Sequence, residues 1–126
     1  MERLEVVKTG KLWIGGAWPR SESGRTMPIH GADGEVIVRC GDASRKDARD
    51  AVEAARKGLP AWRDSTAMLR GQVLYRIAEM LESRAGVCVD ALVDQGAKKT
   101  SAKREVAASV DRLVCFAGWC DKIDQI

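Results

Sequence analysis

The sequence is poor in the features from which membrane spans, zinc sites and acid–base dyads are built. No apolar run approaches the roughly 18 residues of a membrane-spanning helix, and the start of the chain lacks the apolar core of a secretory signal. The composition includes one His, one Phe, one Tyr and four Trp. The net charge of +3 is smaller than sequence-independent binding to nucleic acids usually requires. We therefore expect neither a membrane segment nor a nucleic-acid interface.

The four cysteines, at positions 40, 88, 115 and 120, contain no C-x-x-C pair. Without a signal peptide they are most simply reduced thiols, which predicts a cytoplasmic protein. Cys115 and Cys120 lie about 140° apart around a helix, so they do not converge on one metal ion. Cys40 follows Arg39 and has the most electropositive neighbourhood. We interpret all four as packing or surface residues and His30 as a surface residue, so no catalytic, cofactor-binding or metal-binding residue is predicted.

A cluster of four cations stands near the start of the last predicted helix. The N–H groups of a helix start favour anions, so a phosphate cradle is one interpretation, but a solvated loop and first turn is the commoner one and we adopt it. Gly15-Gly16 lacks the G-x-x-x-x-G-K pattern of a phosphate-binding loop. The cluster consists of Lys98, Lys99, Lys103 and Arg104.

The first third of the chain predicts short strands joined by tight turns. Residues 1–10 carry mixed charge with little pattern and are predicted to form an arm. Gly15 and Gly16 can take the positive φ angles of a two-residue type I′ turn, so residues 11–19 predict a hairpin whose second strand ends at Pro19. A turn is predicted at 32–35 and strands at 27–29 and 35–39.

The remainder, residues 43–126, predicts four helices. Ser44 and Asp47 form a capping signal, and Gly58 with Pro60 is expected to stop the first helix. The second is predicted from a cap at Ser65 or Thr66 to about residue 84, the third from about 85 to 95, and the fourth from Thr100 or Ser101. The apolar stripe of the second helix is predicted to be Leu69, Val73, Ile77 and Leu81.

The last predicted helix carries one apolar stripe and an unfinished end. Gly118 is a possible stop signal, but the apolar residues after it lead us to expect that further structure follows. We therefore expect the segment to be the N-terminal part of a longer structure. Its stripe is predicted to be Val106, Val110, Leu113, Val114 and Ala117.

Taken in order, these pieces resemble the N-terminal segment of the aldehyde dehydrogenase superfamily over residues 11–126. The segment Leu12-Trp-Ile-Gly-Gly-Ala-Trp18 is similar to the family's leading hairpin, and Asp33-Gly-Glu-Val-Ile37 to the turn and strand that follow. The segments at 43–56 and 70–82 resemble the first two helices. Phe116-Ala-Gly-Trp-Cys-Asp-Lys122 resembles the helix that precedes the coenzyme-binding core. The resemblance implies an α/β fold. It also implies that this chain is an incomplete part of the coenzyme-binding domain.

The resemblance also implies an activity for an intact parent, the oxidation of aldehydes to carboxylic acids with NAD or NADP. It places the catalytic cysteine, the glutamate and the nucleotide cradle beyond residue 126, so no cofactor is expected to bind to this chain alone. The remainder of such an enzyme, or a full-length relative, is the expected partner. By resemblance alone, Asp94 is similar to a carboxylate of a monovalent-cation site, and the helix face near Arg104 and Ala108 to the mouth of a substrate channel.

The chain departs from the family pattern at several positions. Cys115-Phe116 stands where an aromatic pair is usual, and Cys120 stands where alanine is common. The loop Asp94-Gln-Gly-Ala-Lys98 matches the usual acidic-Thr-Gly-Lys-Pro loop only loosely, and His30-Gly31-Ala32 replaces an Asn-Pro turn. These departures fit a decaying copy as well as a functional variant.

Two functional hypotheses follow from the residues and the resemblance. The first is the N-terminal portion of an NAD(P)-dependent aldehyde dehydrogenase that has no catalysis of its own. The second is a non-catalytic interaction module that docks on a full-length relative through unpaired strand edges and the apolar C-terminal region.

Overall fold

The computed structural model of the protein describes residues 8–126, so residues 1–7 of the predicted arm lie outside the described residues. The chain divides into two compact units, Met1–Pro60 and Ala61–Ile126. The first unit holds three strands and most of the first helix, and the second holds three further helices. No helix within residues 8–126 is both long enough and apolar enough to cross a membrane.

The first unit contains a three-stranded sheet of β1 (Thr9–Gly10), β2 (Thr26–His30) and β3 (Val36–Gly41). The central strand is β3, which runs parallel to β1 and antiparallel to β2. Residues 9 and 10 were predicted to belong to the arm, but they pair with Arg39 and Cys40 of β3. Two residues carry too little pattern to predict a strand, and their pairing comes from a partner some 30 positions away along the chain.

The predicted hairpin between the first two strands is present as a tight turn. Ile14 and Ala17 exchange two backbone hydrogen bonds, each of 3.1 Å. Gly15 and Gly16 have φ angles of 61° and 81°, positive at both central positions as a type I′ turn requires. The turn prediction is confirmed. The Leu12 N–H also donates to the Pro19 carbonyl oxygen at 3.0 Å, but the hairpin adds no strand to the sheet.

Helix α1 (Arg45–Arg63) begins where the capping signal predicts. The Asp47 N–H donates to Ser44 Oγ at 3.2 Å, and the Ser44 N–H donates to Asp47 Oδ2 at 2.8 Å. The predicted stop at Gly58 and Pro60 is wrong, because the helix continues to residue 63. A proline inside a helix loses one hydrogen bond and crowds the carbonyl four residues before it, at a cost of about 3 kcal/mol. Beyond the proline, the Ser65 hydroxyl donates to the Trp62 carbonyl oxygen at 2.6 Å, which satisfies one of the free carbonyls at the helix end.

The second unit contains α2 (Ala67–Ser83), α3 (Ala85–Asp94) and α4 (Lys99–Trp119), followed by a short 3₁₀ turn (Ile123–Gln125). These bounds confirm the three predicted helices to within about two residues. The Thr66 side chain caps α2 by accepting from the Leu69 N–H at 3.1 Å. Helix α4 continues one residue past Gly118, so that glycine is not the stop signal.

The buried core of the second unit is small and made mainly of small side chains. Helices α2 and α3 both pack against α4. Within residues 8–126, no large side chain is fully buried. The buried apolar residues of this unit are Ala78, Val89, Ala102, Val106 and Ala117.

The apolar stripe predicted for α4 is confirmed at four of its five positions. Val106 and Ala117 are buried, and Val110 and Leu113 are half-buried. Val114 lies outside the packed face and is 36% exposed. The three- and four-residue spacing therefore predicted the packed face of α4 correctly.

Helix α2 packs through a different face from the predicted one. Leu69, Val73 and Ile77 are exposed by 49%, 37% and 46%. Toward α4 the helix presents Gly71, where an added Cβ would lie 3.0 Å from the Ala117 carbonyl oxygen. The predicted stripe is therefore wrong for these three residues. Two helix backbones approach each other more closely where the side chains between them are small than where they are leucine or isoleucine.

We predict that Gly71→Ala lowers the free energy of unfolding by up to about 2 kcal/mol. The added methyl group meets a backbone oxygen that cannot rotate away, and overpacking of this kind typically costs 1–3 kcal/mol, more than the roughly 1 kcal/mol that alanine gains over glycine within a helix. Urea denaturation followed by far-ultraviolet circular dichroism measures the change.

Gly118→Ala is the matched control, since Gly118 lies in α4 and, apart from its own helix backbone and chain neighbours, no described atom would fall within 4 Å of its new Cβ. This variant is expected to be as stable as the unmodified chain or up to about 1 kcal/mol more stable. Equal effects of the two substitutions would contradict close packing at Gly71.

Candidate functional site

The four thiols lie in separate settings, and among the described residues none is hydrogen-bonded to a base. Cys40 is half-buried in β3, and Cys88 packs at the edge of the core between α3 and α4. Cys115 is exposed on α4. Cys120, at the end of that helix, donates its thiol hydrogen to the Phe116 carbonyl oxygen at 3.3 Å. The interpretation of all four as packing or surface residues stays a prediction.

The single histidine lies in β2 and takes part in a turn. His30 Nδ1 is 2.8 Å from the Gly34 carbonyl oxygen. Because a carbonyl oxygen only accepts, Nδ1 carries the hydrogen and donates it. Gly31 closes the same turn by donating its N–H to the Glu35 carbonyl oxygen at 2.8 Å. Within residues 8–126, no group of three or more His, Cys, Asp or Glu side chains is arranged to hold a metal ion.

An open groove of about 500 Å³ lies between α3 and α4. Val89, Val106 and Val110 contribute apolar lining, and Lys99 and Lys103 of the predicted basic cluster line it as well. Carboxylates share the groove with these two lysines, so it lacks the concentrated positive charge that a phosphate cradle needs. The solvated interpretation of the cluster agrees with its exposure. The lining carboxylates are Glu82, Asp90 and Asp111.

The residues singled out by the resemblance lie on α3 and α4. Asp94 is the last residue of α3 and is exposed. Gly96, at a φ of 98°, then lets the chain reverse toward α4. On α4, Arg104 is exposed and Ala108 is half-buried. A cation site at Asp94 and a channel mouth near the other two residues stay predictions.

One carboxylate in the first unit has a strongly lowered pKa. Asp47 is buried at 6% exposure, and its pKa falls from 3.8 to about 2. The largest cause is the hydrogen bond from Ser21 Oγ at 2.6 Å, followed by that from the Ser44 N–H, and burial opposes both. The Glu22 N–H adds a further bond at 3.3 Å. Shifted pKa values often mark catalytic groups, but this carboxylate is occupied in joining the loop before β2 to the start of α1.

Comparison with known proteins assigns the chain to a family. A family model described as the aldehyde dehydrogenase family matches residues 18–126. The chain belongs to the aldehyde dehydrogenase family. The match covers the segment from the end of the hairpin onward, which confirms the expectation drawn from the sequence.

Two curated aldehyde dehydrogenases give the extent of the similarity. D-glyceraldehyde dehydrogenase (NADP(+)) of Thermoplasma acidophilum is 31% identical over 116 residues, which cover 90% of this chain and 24% of that protein. Retinal dehydrogenase 2 of Gallus gallus is 34% identical over 126 residues, which cover 95% of this chain and 24% of that protein. This chain thus spans about a quarter of the length of these aldehyde dehydrogenases.

Solved aldehyde dehydrogenases share the fold as well. Lactaldehyde dehydrogenase from Escherichia coli is 27% identical, with a TM-score of 0.88 over 93% of this chain and 25% of that chain. An NAD-dependent benzaldehyde dehydrogenase from Corynebacterium glutamicum is 29% identical, with a TM-score of 0.86 over 90% of this chain. The small sheet and four helices therefore match part of the NAD-binding domain of this family, which confirms the α/β assignment.

We predict that Asp47→Asn destabilises this aldehyde dehydrogenase segment at neutral pH and that the difference shrinks in acid. A carboxyl whose pKa is lowered on folding contributes stability above its unfolded pKa of 3.8, and this contribution is lost as the pH falls through about 2. Thermal unfolding at a series of pH values, followed by circular dichroism, measures the difference.

Asp111→Asn removes one negative charge from an exposed position on α4 and serves as the control. Its melting temperature is expected to stay close to that of the unmodified chain across the series. If the two variants gave the same pH dependence, the hydrogen-bonded network around Asp47 would not be the source of the effect.

Proposed function

We propose that this chain is the N-terminal portion of an NAD(P)-dependent aldehyde dehydrogenase and does not oxidise aldehydes by itself. The observation that carries the proposal is the family match over residues 18–126 in a chain that spans about a quarter of the relatives' length. The resemblance places the catalytic cysteine, the glutamate and the nucleotide cradle beyond residue 126. This chain then contributes scaffold around the coenzyme-binding domain. The compartment we propose, the cytoplasm, rests on the sequence alone.

Both nicotinamide coenzymes belong in a test of this proposal. NADP(+) is named for the D-glyceraldehyde dehydrogenase relative, and the benzaldehyde dehydrogenase relative is called NAD-dependent. The names of the relatives also supply candidate substrates for the intact parent: D-glyceraldehyde, retinal, lactaldehyde and benzaldehyde.

We predict that the purified chain forms no NADH or NADPH when mixed with each of these aldehydes and either coenzyme. A full-length relative assayed under the same conditions is the positive control. A variant with all four cysteines changed to serine is the matched negative control. Aldehyde-dependent formation of reduced coenzyme that disappears in the serine variant would contradict the proposed inactivity.

A second candidate function is docking on the remainder of an aldehyde dehydrogenase or on a full-length relative. The observation that favours it is the apolar surface of the second unit. The α2 side chains Leu69, Val73 and Ile77 are exposed, and Phe116 and Trp119 of α4 are 62% and 46% exposed. Apolar patches of this kind are typical of interaction sites.

We predict that a full-length relative carrying an affinity tag retains this chain, and that Leu69→Asp with Ile77→Asp reduces the retained amount about tenfold or more, since two apolar contacts are replaced by charges. Val87→Asp is the control, because Val87 is 71% exposed on α3, outside the α2 stripe. The docking function would be excluded by the absence of any retained chain, or by equal losses in all variants.

A further inference from the structure

The hairpin at residues 11–19 carries a pair of tryptophans on one face. Backbone hydrogen bonds lie on either side of Trp13 and Trp18, so the two residues face each other across the hairpin at a position without such bonds. Their ring centroids are 4.7 Å apart, and the ring planes are inclined by 53°. The two indole rings therefore form one continuous apolar surface.

This face is exposed, whereas the opposite face of the hairpin packs on the sheet. The Leu12 side chain is half-buried and lies over Gly41 of β3, 3.6 Å from the position that a Cβ would take there. By contrast, Trp13 and Trp18 are 58% and 62% exposed. The packed side holds the hairpin against the first unit and leaves both rings accessible.

Cations follow the tryptophans along the same face. Because side chains alternate between the two faces of a hairpin, Lys11 and Arg20 come next on the side of the indole rings. Both are exposed, and Lys8 adds a third exposed cation. Positions 8–21 contain these three cations and no acidic residue, which gives the segment a charge of +3. The apolar rings are thus combined with a local positive charge.

The surface of an anionic lipid bilayer matches this combination. Tryptophan rings concentrate at the boundary between headgroups and hydrocarbon, where the ring leaves water and the indole N–H stays near it. Lysine and arginine side chains are attracted by the negative charge of the cytoplasmic leaflet. Contact of this kind lies at the bilayer surface and requires no spanning helix.

Single-stranded nucleic acid matches the hairpin less well. Proteins that bind it stack successive bases on aromatic rings along a positively charged groove. The two indole rings are instead inclined against each other at 4.7 Å, so no base fits between them. The net charge of the whole chain, +3, is also small for such binding.

We propose that the face of the hairpin formed by Trp13, Trp18, Lys11 and Arg20 docks on the surface of an anionic lipid bilayer. The indole rings enter the headgroup region, and the two cations lie against the anionic headgroups. The proposal is independent of the proposed dehydrogenase function, because it uses residues 8–20 only and requires neither coenzyme nor catalysis.

Co-sedimentation of the purified chain with lipid vesicles tests the proposal. We expect the chain to sediment with vesicles of phosphatidylcholine and phosphatidylserine in equal parts at low salt, and to be released at high salt because salt screens the attraction. Vesicles of phosphatidylcholine alone are expected to bind much less of it. Equal binding to both kinds of vesicle, or binding to neither, would overturn the proposal.

The variant Trp13→Ser with Trp18→Ser is expected to lower the partition coefficient for the anionic vesicles about tenfold or more, since two apolar rings no longer leave water. Trp62→Ser is the matched control, because Trp62 of α1 is 43% exposed and lies outside the hairpin. An equal loss in the control would exclude the hairpin as the docking face.

The variant Lys11→Gln with Arg20→Gln is expected to lower the same partition coefficient about tenfold or more and to reduce its dependence on salt. Arg45→Gln with Arg49→Gln is the control, which removes two exposed cations from α1. If both pairs of substitutions had the same effect, the attraction would come from the overall charge of the chain and the proposed face would be wrong.

Two further measurements separate this face from other modes of binding. The variant Leu69→Asp with Ile77→Asp is expected to bind the anionic vesicles as the unmodified chain does, so a loss in this variant would assign the binding to α2 and contradict the proposal. Stronger binding to polyuridylate than to the vesicles would contradict it as well. Circular dichroism verifies that each variant is folded.

Discussion

The second unit depends on close contact between helices at positions where the side chains are small. Gly71 lies so close to the Ala117 carbonyl that a single methyl group would meet it at 3.0 Å. Ala78, Ala102 and Ala117 are three of the five buried apolar residues in this unit. Small residues bury little area each, so the unit gains stability through close backbone approach, and its larger apolar side chains stay partly at the surface.

In the first unit a polar interaction has the corresponding role. Asp47 accepts hydrogen bonds from the Ser21 hydroxyl and from the backbone N–H groups of Glu22 and Ser44. These bonds connect the loop before β2 to the first turn of α1, and they satisfy a buried charge that would otherwise be costly. The carboxylate is thus structural, although its lowered pKa resembles that of a catalytic group.

Membership of the aldehyde dehydrogenase family explains why so much apolar surface is exposed. The chain spans about a quarter of the relatives with which it aligns, and in those proteins the same region is one part of a larger domain. A segment of this kind has packed faces where its own helices meet, and further apolar faces such as that of Leu69 and Ile77. The two faces of α2 therefore differ in composition and in exposure.

The sequence alone determined the local features, including the Gly15-Gly16 turn, the Ser44 cap, three helix bounds and the packed face of α4. Each of these depends on neighbouring residues, so pattern and capping rules suffice. Only the tertiary structure decided the pairing of β1 with β3, the face by which α2 packs, and the choice of Thr66 over Ser65 as the cap of α2. Pairings between distant residues and the space available between two backbones leave no periodic signal along the chain.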